Sequence, residues 1–141
     1  MSFLKTLKPD GFFVNIPQNK FSRMGVSDTI GVYNGRFFAF ESKAKDGKPT
    51  ALQRMFLRLV TMAGGTCGVT KSVADVKELL NLASDAAYYA TFYPEDWPKK
   101  LVEIYSKFCS TPKQVLKLLL RWNKNNRPKI NLPDSIINDM K

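Results

Sequence analysis

The dipeptide Asn34-Gly35 lies between Thr29-Ile30-Gly31-Val32-Tyr33 and Arg36-Phe37-Phe38-Ala39-Phe40, and it constrains this chain more than any other feature. Asn-Gly between β-branched and aromatic residues is the strongest short-range hairpin signal, because a two-residue type I′ turn needs positive φ at both central positions. That turn sets Tyr33 opposite Arg36, and the same register carried outward sets Asp28 opposite Glu41. Directly opposed side chains share one face, with Cβ atoms about 4.5–5.5 Å apart, where like charges destabilise. Two carboxylates held so close call for a counter-charge, and a divalent cation supplies one. Lys43 lies on the same face because strand side chains alternate. An acid pair and a lysine at one strand end suit metal-assisted hydrolysis.

Around the hairpin the pattern predicts a helical turn at 2–7, stopped by Pro9-Asp10-Gly11, then a strand at 12–16 and a basic loop at 18–24. Both hairpin faces are apolar, Ile30, Val32, Phe37 and Ala39 on one and Phe38 and Phe40 on the other. That predicts helical layers on both sides of the sheet. Thr50-x-x-Gln53 matches a capping box. It opens a helix with Leu52, Phe56, Leu59, Val60 and Ala63 as the buried stripe, ended by Gly64-Gly65. A strand at 66–70 and a helix capped by Ser72-x-x-Asp75, carrying Val73, Val76, Leu79 and Leu80, complete an αβββαβα order. This is an α/β chain with a mixed sheet between helices.

Beyond residue 86 the texture changes. Tyr88, Tyr89, Phe92, Tyr93 and Trp97 crowd around Pro94 and Pro98, which predicts a packed connector, although such rings also stack on bases. Helices follow at 101–108 and 112–122, the second opened by Thr111 and Pro112, then a basic break at 123–129 and a short helix at 134–140. The chain divides into a core over 1–86 and an α-helical extension over 87–141, packed on the core or at a dimer interface.

Composition narrows the partners. The 141 residues, 44% of them hydrophobic, suffice for a real core. Twenty-two Lys and Arg against twelve Asp and Glu give a net charge of +10, which suits a polyanion, a ribosomal partner or a membrane surface. Histidine is absent, which removes Cys/His zinc fingers, HNH nucleases, His-relay phosphodiesterases and His-dependent hydrolases. Neither GxxxxGK[ST] nor GxGxxG occurs, so no nucleotide cofactor is expected. Cys67 and Cys109 lack CxxC spacing and read as reduced thiols in a cytoplasmic setting. No apolar run nears the ~18 residues of a membrane-spanning helix, and the N-terminus lacks a signal peptide's apolar segment.

In their order and spacing, Gly25-Val26-Ser27-Asp28, the hairpin, Glu41-Ser42-Lys43, Pro49-Thr50-x-x-Gln53 and Ala63-Gly64-Gly65 resemble the PD-(D/E)XK nucleases. The virus-type replication-repair nuclease (VRR-NUC) branch, related to Holliday-junction resolvases, is the nearest in pattern. The resemblance covers about residues 25–80 and none of the helical half. Ser27 stands where that family usually has proline, and residues 2–8 hold no acid of the kind the family often supplies from its first helix.

The resemblance implies a restriction-endonuclease-like fold and a divalent-metal-dependent DNA endonuclease. Asp28, Glu41 and the Ser42 carbonyl would hold Mg²⁺ or Mn²⁺, and Lys43 would orient water or neutralise charge on the phosphate. Gln53 would either reach the site or serve only as the capping-box residue. Lys20, Arg23, Lys45, Lys48 and Arg54 flank the site as candidate DNA contacts, with a solvated surface as the alternative for each. The family also implies branched, flap or four-way-junction DNA, a homodimer, and a viral or phage origin with action in the host cell. Two alternatives stand beside this reading: a non-catalytic nucleic-acid-binding module that keeps the fold, and a nuclease subunit of a larger DNA-processing complex.

Overall fold

Asn34 (φ 50°) and Gly35 (φ 78°) both take positive φ, and Tyr33 faces Arg36 across them. This is the hairpin that Asn-Gly predicts. The computed structural model describes residues 2–17, 25–84, 96–125 and 131–141. Strands β2 (Thr29–Tyr33) and β3 (Arg36–Ser42) are the arms of the hairpin. β1 (Gly11–Asn15) pairs antiparallel outside β2, and β4 (Thr66–Thr70) pairs parallel with β3. The sheet order is therefore β1-β2-β3-β4. A parallel pair needs a crossover, and α2 (Ala51–Met62) provides it. With α1 (Ser2–Lys5) ahead of β1 and α3 (Val73–Ser84) after β4, the order is the αβββαβα read from the sequence. The helical half adds α4 (Asp96–Ser106), α5 (Pro112–Asn125) and α6 (Asp134–Asp139). The chain is an α/β protein, a four-stranded mixed sheet flanked by helices.

One sheet face is packed along its centre. Phe13, Phe38 and Phe40 meet there with ring centroids 5.8 to 6.5 Å apart. Leu79 of α3 presses on Gly68, where an added Cβ would sit 2.8 Å from its Cδ1. On the other face α2 covers β3 and β4. Cys67 Sγ donates to the Leu57 carbonyl, as does Thr61 Oγ1. The expected cover over the whole of this face stops there: Phe12 and Val14 of β1 and Val32 of β2 are exposed, as is Phe37 at the hairpin end of β3, before its pairing with β4 begins. The reason is width. One helix about 10–12 Å across spans two strands spaced about 4.8 Å, not four.

The buried stripe of α2 also differs from the expected one. Leu57 and Thr61 are buried, while Leu52 and Leu59 are exposed and Ala63 is the exposed C-cap. This helix is flanked on two sides. The sheet takes Leu57 and Thr61, and the C-terminal helices bind its far side, Arg58 Nη1 donating to the Phe108 carbonyl and Arg121 Nε to that of Met62, both at 3.0 Å.

Trp97 and Pro98, expected in a connector, are buried in the first turn of α4. A proline fits there because first-turn N–H groups have no intrahelical acceptor. α5 continues to Asn125, past the break expected at 123. The predicted loop at 18–24 and the aromatics Tyr88, Tyr89, Phe92 and Tyr93 lie outside the described residues. Among the described residues, no helix is long and apolar enough to cross a membrane.

Candidate active site

The β2–β3 ladder ends at Thr29 opposite Phe40, and one further step sets Asp28 opposite Glu41. Two bonds hold Asp28 in place. Ile16 N–H donates to its carbonyl at 2.7 Å, and Ser42 N–H donates to its Oδ2 at 3.0 Å. Alternation places Glu41 on the face covered by α2, beside its parallel neighbour Val69. Lys43 follows on that face, its N–H bonded to the Thr70 carbonyl at 2.9 Å.

The environment of Glu41 is the unusual feature. Its side chain is 1% exposed, and neither carboxylate oxygen has a hydrogen-bond partner among the described residues. Lys43 Nζ stands 3.5 Å from Oε1, at ion-pair distance. Burial first and the nearby Asp28 charge second raise the pKa of Glu41 from 4.5 to about 7, against the opposing pull of Lys43. A carboxyl in this state is about half ionised at neutral pH and accepts either a proton or a cation.

The donor set fits a hard cation. Both carboxylates offer oxygen, and Asp28 Oδ1 has no partner among the described residues. No group of three or more His, Cys, Asp or Glu converges among the described residues. Two carboxylates suffice for Mg²⁺, which usually keeps several of its waters.

The other candidates separate into groups. Gln53 forms a complete capping box, its Oε1 accepting from Thr50 N–H at 2.8 Å and its own N–H donating to Thr50 Oγ1 at 3.2 Å. Its contacts are those of the capping role. Lys48 and Arg54 line a cavity, joined by Lys71 and Lys107, which the sequence analysis did not single out. Carrying the β3–β4 pairing one residue past Thr70 would have flagged Lys71. Nothing local marks Lys107, which arrives in the turn after α4. Lys45 is exposed, and its carbonyl accepts from Lys71 Nζ. Ser27 is buried, with an Oγ that has no partner among the described residues. Lys20 and Arg23 lie outside the described residues. Comparison with protein-family models, curated proteins and solved structures finds no match.

Proposed function

We propose that this chain is a divalent-metal-dependent DNA endonuclease with a restriction-endonuclease-like core. Glu41 carries the reading: a buried carboxylate opposite Asp28, with one ammonium at 3.5 Å for two acids, is costly until a cation completes it. Asp28, Glu41 and the Ser42 carbonyl would hold Mg²⁺ or Mn²⁺. Such a cation, once bound, lowers the pKa of a water and offsets phosphate charge. The Ser42 N–H fixes Asp28 through Oδ2 and leaves Oδ1 for the cation. Lys43, anchored through its main chain to β4, presents an ammonium to a phosphoryl oxygen as negative charge builds there. The net charge of +10 draws the polyanion to the site. Preference for branched DNA and a homodimer that sets two sites across a junction come with the VRR-NUC resemblance.

One observation favours a second reading, a nucleic-acid-binding module without catalysis: no third acid joins Asp28 and Glu41 among the described residues. Labelled four-way junction, flap, duplex and single-stranded DNA, incubated with Mg²⁺ or with EDTA, separates the two. We expect cleavage only with the metal. Asp28→Asn and Glu41→Gln should lose most cleavage and keep binding, and Lys43→Ala should lose about 10²–10³-fold in rate. Wild-type cleavage by the Glu41 variant would sink the proposal, and binding without cleavage in either metal would favour the second reading.

A further inference from the structure

A cavity of about 490 Å³ opens beside the acid pair. Its wall includes Val69, the β4 neighbour of Glu41, so it begins about one strand spacing, ~4.8 Å, from the Glu41 backbone. Four cations line it and no acid does. Lys48 comes from the loop after β3, Arg54 from α2, Lys71 from the end of β4, and Lys107 from the turn after α4. Arg54 is aimed by a bond from Nη1 to the Pro49 carbonyl at 2.9 Å, and Lys71 by its bond to the Lys45 carbonyl. Both anchors are neutral. None of the four side chains forms an ion pair among the described residues, and the neighbouring acid Asp75 accepts from the Lys71 main-chain N–H at 2.8 Å. Lys48, Lys71 and Lys107 are exposed, and cations gathered in a concave setting raise the local concentration of anions.

We propose that this cavity binds a backbone phosphate of the same polynucleotide strand that crosses Asp28 and Glu41, one or a few nucleotides from the position cut. It deepens the nuclease reading and rests on it. The helical half then supplies part of the substrate site itself, through Lys107, rather than only supporting the core. The neighbouring Lys43 and Glu41 set the strand's direction, from the acid pair past Val69 into the cavity. The cavity is much larger than one phosphate, which suits a phosphate carried on a strand with its sugar rather than a free ion.

The test is fluorescence anisotropy on the full chain with labelled single-stranded and four-way-junction DNA, in EDTA, over a salt series. Lys71→Gln with Lys107→Gln should weaken binding about tenfold and flatten the log affinity against log salt slope by about 1, the loss of one phosphate contact. Lys113→Gln with Lys117→Gln, on α5 and outside the cavity, should leave the slope unchanged. If a thermal melt shows that the Lys71 variant fails to fold, Lys48→Gln with Lys107→Gln replaces it. The side chains of those lysines make no hydrogen bond or ion pair among the described residues. An unchanged slope in the cavity variant, or equal flattening in the α5 variant, overturns the proposal. So does saturable binding of inorganic phosphate or a mononucleotide by wild type that binds no polynucleotide. Because binding is read without metal, a wild type that binds through these lysines yet never cleaves in Mg²⁺ refutes the nuclease reading and leaves the phosphate site standing.

Discussion

Replacing Glu41 with Gln keeps the shape of the side chain and removes its charge, so it isolates the burial of that charge. An acid whose pKa rises on folding adds no cost below its unfolded value and its full cost above its folded value. For Glu41 the window therefore runs from pH 4.5 to about 7, with wild-type stability falling as pH rises through it. At 1.36 kcal/mol per pH unit, the rise sets a ceiling of about 3 kcal/mol. Lys43 beside it is 23% exposed. Solvent screening there brings the expected figure to about 2 kcal/mol. Gln also buries an unpaired amide, so the absolute stability of the variant is a poor guide. The change with pH is the clean quantity. Urea unfolding in EDTA should show Glu41→Gln gaining about 2 kcal/mol on wild type between about pH 4 and pH 8. Adding Mg²⁺ at ten times its Kd should return about 1.4 kcal/mol to wild type at the upper end, and little to the variant. A difference that stays flat with pH would refute the burial of an ionised Glu41 and remove the observation on which the metal site rests.

Two further outcomes follow from the packing and the thiols. A Cβ on Gly31 would fall 2.3 Å from the Phe12 carbonyl oxygen and 2.4 Å from the Phe13 ring, so Gly31→Ala should cost about 3 kcal/mol by urea unfolding. Gly35→Ala meets nothing within 4 Å and bears only its positive φ, so it should cost about 1 kcal/mol; equal losses would contradict the register. Burial pushes the Cys67 thiol up to about 12 and the Cys109 thiol up to about 11, so the folded protein should react with neither at neutral pH and both should react in denaturant. Fast titration of Cys67 in the native protein would count against the packing of α2 on β4.

What the sequence makes legible is mostly what is local. Asn34-Gly35 settles the turn, the turn settles the register, and the register pairs Asp28 with Glu41. Thr50 and Gln53 declare the start of α2 because both halves of the capping box lie within one turn. The buried side of that helix is harder to read. Its apolar residues serve a sheet on one flank and α5 on the other, so Leu52 and Leu59 look as suited to the core as Leu57, and Thr61 looks less suited than either. Thr61 is buried because its hydroxyl bonds back to the Leu57 carbonyl and meets Cys67 Sγ at 3.1 Å, a contact made across the fold. Pro98 suggests a break only while its position within a first turn is unknown. The bare patch of Phe12, Val14, Val32 and Phe37 and the gathering of Lys71 with Lys107 both depend on where helices dock, which no spacing along the chain encodes.

The spans of chain that close the two halves of the site differ widely. The Ser42–Asp28 bond joins residues 14 apart, whereas the bonds from Arg58 and Arg121 that tie the helical half to α2 span 50 and 59 residues. Hairpins form in about 1–10 μs, while longer closures pay more entropy and wait on other contacts. During synthesis the hairpin that carries the acidic pair emerges before α4 leaves the ribosome. The nascent chain thus acquires its two carboxylates first and its four-cation cavity last.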